Sequence, residues 1–168
     1  MMSSDPGSHL KTCHSVPFTS MVRDAPGSSK RYSFVLPASA PSCPRLAVAE
    51  SPIDALSLAT LVKRYGGVWQ DSSYLSLGGT SPCAMLQYLQ DHPQIRQISL
   101  CLDNDKAGIE GMNRLERTIR DNPSLSGRID LIYRNPPPEE YGKDYNEFLT
   151  KQTNKEQERR QRSRSGIR

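Results

Sequence analysis

The sequence has no long hydrophobic run and no recognisable leader. None of its apolar stretches approaches the roughly 18 residues that a membrane-spanning helix needs. Residues 1–7 lack both the positive charge and the apolar segment of a secretory signal peptide. We therefore expect a cytoplasmic protein with no membrane partner. With 168 residues and a mean hydropathy of −0.64, the chain is expected to form one modest core with flexible ends.

Cysteine and histidine are few and scattered. The four cysteines (Cys13, Cys43, Cys83 and Cys101) form no C-x-x-C pair and no cluster with histidine, which argues against a zinc site. Reduced thiols are therefore the expected state. Cys101 lies within an apolar run, so we expect it to be a small core residue.

The positive charge is unevenly placed. The net charge is +4, but residues 151–168 hold seven Lys/Arg against two Glu, which leaves the first 150 residues at −1. This basic segment is rich in Gln, Arg and Ser and has no apolar period, which predicts a disordered tail. Such a tail either binds phosphate backbones by charge or is simply a solvated terminus. Both interpretations stay open.

Strand and helix patterns alternate through the middle of the chain. Residues 1–29 are rich in Ser, Pro and Gly, which predicts a flexible segment or the remnant of a preceding domain, and residues 30–150 form the predicted domain. The alternation predicts an α/β fold with a Rossmann-like sheet of about four mainly parallel strands and helices on both faces. Strands are predicted at 32–36, 46–49, 74–77, 98–102 and 129–133, and helices at 53–65, 83–90 and 107–119.

Three acidic residues follow two of these strands. Glu50 ends one apolar run, and Asp103 and Asp105 end another about fifty residues later. The carboxyl ends of parallel strands line the crevice where ligands bind, and three carboxylates there repel one another unless a cation lies between them. Mg²⁺ suits such a set because it keeps several waters and completes its shell with phosphate oxygens. The pattern therefore points to phosphate-ester chemistry or phosphate binding.

Other polar residues flank these acids. Ser51 and Pro52 predict a helix start, and Asp54 either supports the site from the first turn or only complements the helix dipole. Gly78 and Gly79 precede a helix, where a glycine turn either cradles phosphate or forms a tight connection.

Three motifs together resemble the Toprim domain, the catalytic module of bacterial-type primases, type IA and II topoisomerases and some nucleases. They span residues 49–56, 102–108 and 142–147, and the likeness covers roughly residues 26–150. It is greatest to the primase-like Toprim proteins of bacterial mobile elements. The resemblance implies that Glu50 acts as a general acid/base or metal ligand and that Asp103 and Asp105 bind Mg²⁺ or Mn²⁺.

The resemblance extends to three further residues of the last two motifs. Lys106 and Lys143 either meet phosphate or are solvated charges. Asp144 is either another acidic member of the site or the N-cap of the final helix.

The resemblance implies a Mg²⁺-dependent, primase-like module that processes nucleic acid. Its expected partners are single-stranded DNA, nucleotides and upstream primase or helicase-type domains. The first alternative is a Toprim nuclease, in which the same site activates water instead of a 3′-hydroxyl, and the second is a non-catalytic nucleic-acid-binding module. Ala107 stands where topoisomerases commonly carry another acidic residue, and the chain has no room for a template-holding domain. We therefore expect an isolated or truncated catalytic module rather than a topoisomerase.

Two other phosphate-handling folds and one purely structural interpretation are alternatives to the Toprim domain. A receiver domain normally has adjacent acids after its first strand, and a haloacid-type phosphatase places its D-x-D after the first strand rather than the third. In the structural interpretation the acids only cap helices, as Asp105 would before a helix that begins near Ala107.

Overall fold

The computed structural model describes residues 29–165, so the predicted flexible segment 1–29 lies outside the described residues except for Ser29. This part of the chain contains five strands and five α-helices, which largely alternate. The strands are β1 (Val35–Leu36), β2 (Arg45–Ala49), β3 (Ser73–Ser76), β4 (Gln97–Leu100) and β5 (Leu131–Arg134). The helices are α1 (Pro52–Arg64), α2 (Cys83–Asp91), α3 (Lys106–Arg120), α4 (Pro123–Ser126) and α5 (Tyr145–Ser165).

The strands form one sheet in the order β1-β3-β2-β4-β5. β2 pairs in parallel with both β3 and β4, β5 pairs in parallel with β4, and β1 pairs antiparallel with β3 at one edge. Because β2 is flanked by β3 and β4, the residues that follow these three strands meet at one end of the sheet. The predicted α/β fold with mainly parallel strands is confirmed, and the strand predicted at 32–36 is present as the short edge strand β1.

Alternate residues of the central strand face two hydrophobic clusters. Leu46 and Val48 belong to the cluster formed with α2 and α3, whereas Ala47 and Ala49 belong to the cluster formed with α1 and α5. A strand buried on both faces carries a continuous apolar run, and residues 46–49 form such a run. The alanines leave room for α1 to approach the sheet closely.

The inner face of α1 differs from the predicted one. The apolar spacing indicated Leu56, Ala59 and Val62, but Leu56 is 42% exposed and the residues turned inward include Ala55 and Ala59. Small side chains at these positions pack against the alanines of β2. The start of α1 is as predicted, since the Ser51 hydroxyl accepts the Asp54 backbone N–H and Pro52 occupies the first turn.

The expectation of a disordered basic tail is wrong for residues 151–165, because α5 continues through them. Tyr145 and Phe148 bury the first turn of α5, and Arg64 of α1 binds Thr153 and Glu156 two turns later. A helix nucleated in this way extends readily through residues with high helix propensity, and Lys, Arg, Gln and Glu dominate here. Every side chain of residues 157–165, the basic helix end, is exposed.

None of the helices within residues 29–165 is both long and apolar enough to cross a lipid bilayer.

Candidate functional site

Glu50 and the D-x-D loop (residues 103–105) meet at the carboxyl ends of β2 and β4. The two strands are neighbours, with Val48 of β2 opposite Leu100 of β4. The Asp103 backbone N–H donates a hydrogen bond to Oε1 of Glu50 at 3.3 Å. The glutamate of one strand end therefore contacts the backbone of the acidic loop that follows the other.

Three contacts hold the D-x-D loop in place. Oδ1 of Asp105 accepts the Gly108 N–H at 2.9 Å and so caps α3, as the structural interpretation proposed. The Asn104 N–H donates to the carbonyl oxygen of Lys143 at 2.6 Å. A Cβ added to Gly108 would overlap the Asp103 carbonyl oxygen and lie 2.8 Å from the carbonyl carbon, so only glycine fits there. The loop is thus fixed between α3 and the segment before α5.

Asp54 links the starts of two helices. Its side chain is buried, with 6% of the residue exposed. Oδ2 accepts the Ser51 hydroxyl at 2.5 Å, and Oδ1 accepts the Asn146 N–H at 3.2 Å. Both alternatives for Asp54 therefore have a structural basis: it lies at the N-terminus of α1, where a negative charge is favoured, and it also positions the start of α5 beside the acidic loop.

The segment before α5 brings a cation to the site. Nζ of Lys143 lies 3.7 Å from Oδ2 of Asp103. Asp144 has the N-cap arrangement that was one of its two predicted roles, since its Oδ1 accepts the Glu147 N–H at 2.7 Å. Gly142 has a φ of 118°, which allows the sharp turn into this segment.

The glycine turn after β3 is used within the protein. Gly78 and Gly79 have φ values of 66° and 126°, a conformation that explains why both are glycine. The Gly79 N–H donates to the Glu50 carbonyl oxygen at 3.0 Å, and the Gly78 N–H donates to Oγ of Ser76 at 3.3 Å. Because both amides already have acceptors, the geometry favours the tight connection over a phosphate cradle, and this connection supports the backbone of Glu50.

Two carboxylates of the site, Asp103 and Glu50, have a raised pKa. Burial, and then the charge of Asp54, raise the pKa of Asp103 to about 6, and Lys143 opposes this shift. Burial, and then the charge of Asp103, also raise the pKa of Glu50, with smaller contributions from Asp105 and Asp54. We call Glu50, Asp54, Asp103, Asp105 and Asp144 the acidic cluster. Its mutual repulsion favours the uptake of a cation.

The donor set suits Mg²⁺ in an open site. Across residues 29–165, no three His, Cys, Asp or Glu side chains are arranged so closely that they would hold a metal ion by themselves. Glu50, Asp103 and Asp105 therefore do not form a closed three-carboxylate cage. Mg²⁺ usually binds through one or two carboxylates and keeps several waters. Oxygen donors in an open arrangement therefore suit Mg²⁺ better than they suit a metal ion that needs a full cage of protein ligands.

In comparison with known protein families, the chain matches the Toprim-like family over residues 47–149. The match covers more than half of the chain and includes Glu50, the D-x-D loop and Lys143. The chain belongs to the Toprim-like family. The resemblance predicted from the three motifs is thus confirmed.

No curated protein matches this Toprim-like chain significantly. Among solved structures, the primase fragment of the bacteriophage T7 primase-helicase protein is similar, with 23% sequence identity and a TM-score of 0.42. The similarity covers 61% of this chain and 37% of that fragment.

The Toprim-like domain brings most of the predicted site residues together. Asp54, Asp103, Asp105 and Asp144 are close enough to influence one another electrostatically, and Lys143 pairs with one of them. Lys106 begins α3 with an exposed side chain, and no contact between it and the acidic cluster is seen among the described residues.

Sequence reasoning missed two backbone contacts of the site. Gly108 allows α3 to approach the Asp103 backbone, and Asn146 donates its N–H to Asp54. A glycine three residues after a capping Asp was the only signal for the first contact. The second contact joins residues 92 positions apart and had no local signal.

Proposed function

We infer that this chain is a Mg²⁺-dependent catalytic module that processes nucleic acid, with primase-like nucleotidyl transfer on single-stranded DNA as its reaction. One observation carries this proposal: Glu50 contacts the backbone of the D-x-D loop, within a cluster of carboxylates that repel one another at the crevice end of a parallel sheet. The membership of the Toprim-like family and the order of the three motifs support it.

Each site residue has a role in this proposal. Bound Mg²⁺ would neutralise charge on the nucleotide phosphates and favour ionisation of the attacking 3′-hydroxyl. Asp103 and Asp105 would hold the ion through their carboxylate oxygens. Glu50, whose pKa is raised by burial and by Asp103, holds or accepts a proton closer to neutral pH than an ordinary glutamate does. Asp54 acts as a positioning residue through Ser51 and Asn146.

Metal binding is the first expected result. Mg²⁺ should raise the melting temperature of the chain by about 5 °C at saturating concentration, because a ligand bound only by the folded state stabilises it by mass action. Replacing both Asp103 and Asp105 with asparagine should abolish this rise. Thermal unfolding with Mg²⁺ and with EDTA measures both effects.

A matched control separates the site from general charge. Asp121 and Asp130 are exposed acids outside the cluster, so replacing both with asparagine changes the net charge equally. This control should keep the full response to Mg²⁺. Equal responses of the wild type and the site variant would refute the metal site.

Catalysis is the second expected result. Labelled single-stranded DNA incubated with ribonucleotides and Mg²⁺ or Mn²⁺ should give a low yield of extended products. The yield should be low because the matched domain alone supplies little of the substrate positioning that accelerates phosphoryl transfer. Glu50→Gln should reduce this yield about 100-fold with the fold retained, since general acid/base groups contribute on this order.

The same assay identifies the rival chemistry. Shortened DNA that requires no nucleotide, and that disappears in Asp103→Asn, would replace the primase proposal with the nuclease. Binding of Mg²⁺ and DNA without either product, at any metal concentration, would leave a non-catalytic binding module as the function of this chain.

The basic helix end should contribute to nucleic-acid binding. Asp54 and Arg64, at opposite ends of α1, contact Asn146 and Thr153 of α5, so the two helices run in the same direction. At 1.5 Å per residue, this places the basic helix end more than about 15 Å from the acidic cluster. It is therefore positioned to bind phosphates outside the reacting centre.

A truncation tests this role of the helix. Removal of residues 157–168 should weaken binding to single-stranded DNA and flatten its salt dependence, because each neutralised phosphate contributes about −0.7 to the salt slope. The melting temperature should be unchanged, since Arg64 keeps its contacts with Thr153 and Glu156. Fluorescence anisotropy from 50 to 300 mM salt measures the affinity and its salt slope. If both are unchanged by the truncation, the segment is only a solvated terminus.

A further inference from the structure

Lys143 forms an ion pair with Asp103 of the acidic cluster. Of the ion pairs formed within residues 29–165, only the one between Lys143 and Asp103 involves a carboxylate of the cluster. The distance is 3.7 Å, the lysine side chain is 56% exposed, and the Asp103 side chain is 16% exposed. A half-exposed lysine side chain thus lies near a mostly buried carboxylate that belongs to the proposed metal site.

The backbone of Lys143 is fixed although its side chain is not. Its carbonyl oxygen accepts the Asn104 N–H at 2.6 Å, and its own N–H donates to Oε2 of Glu147 at 3.2 Å. Both bonds are independent of the ammonium group. The long side chain can therefore change partner by rotation about its own bonds, without any movement of the D-x-D loop.

We propose that Lys143 is an exchangeable counter-ion, which pairs with Asp103 in the metal-free protein and moves to a substrate phosphate when Asp103 takes up the divalent cation. This inference rests on the proposed function, because it requires that Asp103 is a metal ligand. A divalent cation on Asp103 would compete with the ammonium for the same carboxylate, and the two cations would repel each other.

The exchange is energetically modest. Because the lysine side of the pair is half exposed to water, the pair is weak and its loss opposes metal binding only slightly. The released ammonium could then pair with a phosphate oxygen of a bound nucleotide or DNA strand. Lysine binds phosphate as a flexible point charge, which suits a group that must change partners.

Removal of the ammonium should therefore strengthen metal binding and weaken phosphate binding. Lys143→Gln keeps both backbone hydrogen bonds but has no charge. Calorimetry with MgCl₂ alone should show binding about 2- to 5-fold tighter than in the wild type, the ratio that corresponds to an exposed ion pair. Lys143→Arg, which retains the positive charge, should bind Mg²⁺ like the wild type.

The second measurement uses inorganic phosphate as the probe. At saturating Mg²⁺, Lys143→Gln should bind phosphate several-fold more weakly than the wild type, whereas in EDTA the two proteins should not differ. Lys63→Gln serves as the charge-matched control, since Lys63 is exposed in the last turn of α1, at the opposite end of that helix from Asp54. It should leave both affinities unchanged.

The outcomes distinguish this proposal from the proposed function. If the wild type binds Mg²⁺ and Lys143→Gln binds it equally or more weakly, the counter-ion proposal is wrong and the metal site stands. If the wild type does not bind Mg²⁺ at all, the proposed function fails and the exchange fails with it. Melting temperatures of all four proteins in EDTA show that each is folded.

Discussion

Replacement of Gly108 by alanine should destabilise the domain strongly, and more than the same replacement at the other glycine of α3. The new Cβ would overlap the Asp103 carbonyl oxygen and lie 2.8 Å from the carbonyl carbon and 2.9 Å from the nitrogen. These are backbone atoms, which cannot rotate away as a flexible side chain does. To relieve the overlap, α3 must move from the D-x-D loop, and the bond from the Gly108 N–H to Asp105 is then lost.

The expected loss is about 3 kcal/mol of unfolding free energy, which is typical of severe overpacking and exceeds the gain of about 1 kcal/mol that alanine gives over glycine within a helix. The melting temperature should fall by about 10 °C. Chemical unfolding in urea measures the change, and Mg²⁺ should no longer raise the melting temperature of the variant, because Asp103 and Asp105 are displaced together.

Gly127 supplies the matched control. A Cβ at this position meets no atom within 4 Å, and its φ of −84° suits any residue. Gly127→Ala should therefore change stability by less than about 1 kcal/mol, with stabilisation as the expected sign because alanine restricts the unfolded chain. If Gly108→Ala unfolds at the same urea concentration as this control, the close approach of α3 to the acidic loop is not real.

The acidic site was predictable from the sequence because its signals are local. Glu50, Asp103 and Asp105 each follow an apolar run, and parallel strands bring such positions to the same end of the sheet. The capping role of Asp105 was also readable, since a carboxylate before a helix binds the first free backbone N–H groups. These patterns predict that the carboxylates lie near one another, but they do not predict which atoms each carboxylate contacts.

The contacts that fix the site could not be predicted, because they join distant segments. The Asn104 N–H binds the carbonyl of Lys143, and the Asn146 N–H binds Asp54, and no periodicity in the sequence encodes either bond. The same reason explains the error over residues 151–165. Their composition favours disorder when they are considered alone, but the buried Tyr145 and Phe148 nucleate the helix, and its contacts with Arg64 extend it.

Unlike Gly108→Ala, the substitution Asp103→Asn should stabilise the metal-free protein at neutral pH. Burial and the charge of Asp54 raise the pKa of Asp103 to about 6, above its ordinary value of about 3.8. Between these two pH values the folded state holds a proton that the unfolded state has lost. Stability therefore falls as the pH rises through this window and remains low above pH 6.

An uncharged amide at position 103 removes this cost. The variant loses the ion pair with Lys143, which at 56% lysine exposure contributes little. We expect a net gain of about 1 kcal/mol at pH 7.5 in EDTA, or about 3 °C in melting temperature, and no gain at pH 4. Urea unfolding of both proteins from pH 4 to pH 8 measures the difference.

Addition of Mg²⁺ should reverse the order of the two proteins. The wild type gains stability from the ion, whereas Asp103→Asn does not, so the wild type becomes the more stable protein at pH 7.5. A carboxylate that destabilises the empty fold and stabilises the loaded one acts as a ligand rather than as a structural cap. If Asp103→Asn is instead less stable at every pH, the carboxylate serves the fold, and its assignment to the metal site loses its electrostatic basis.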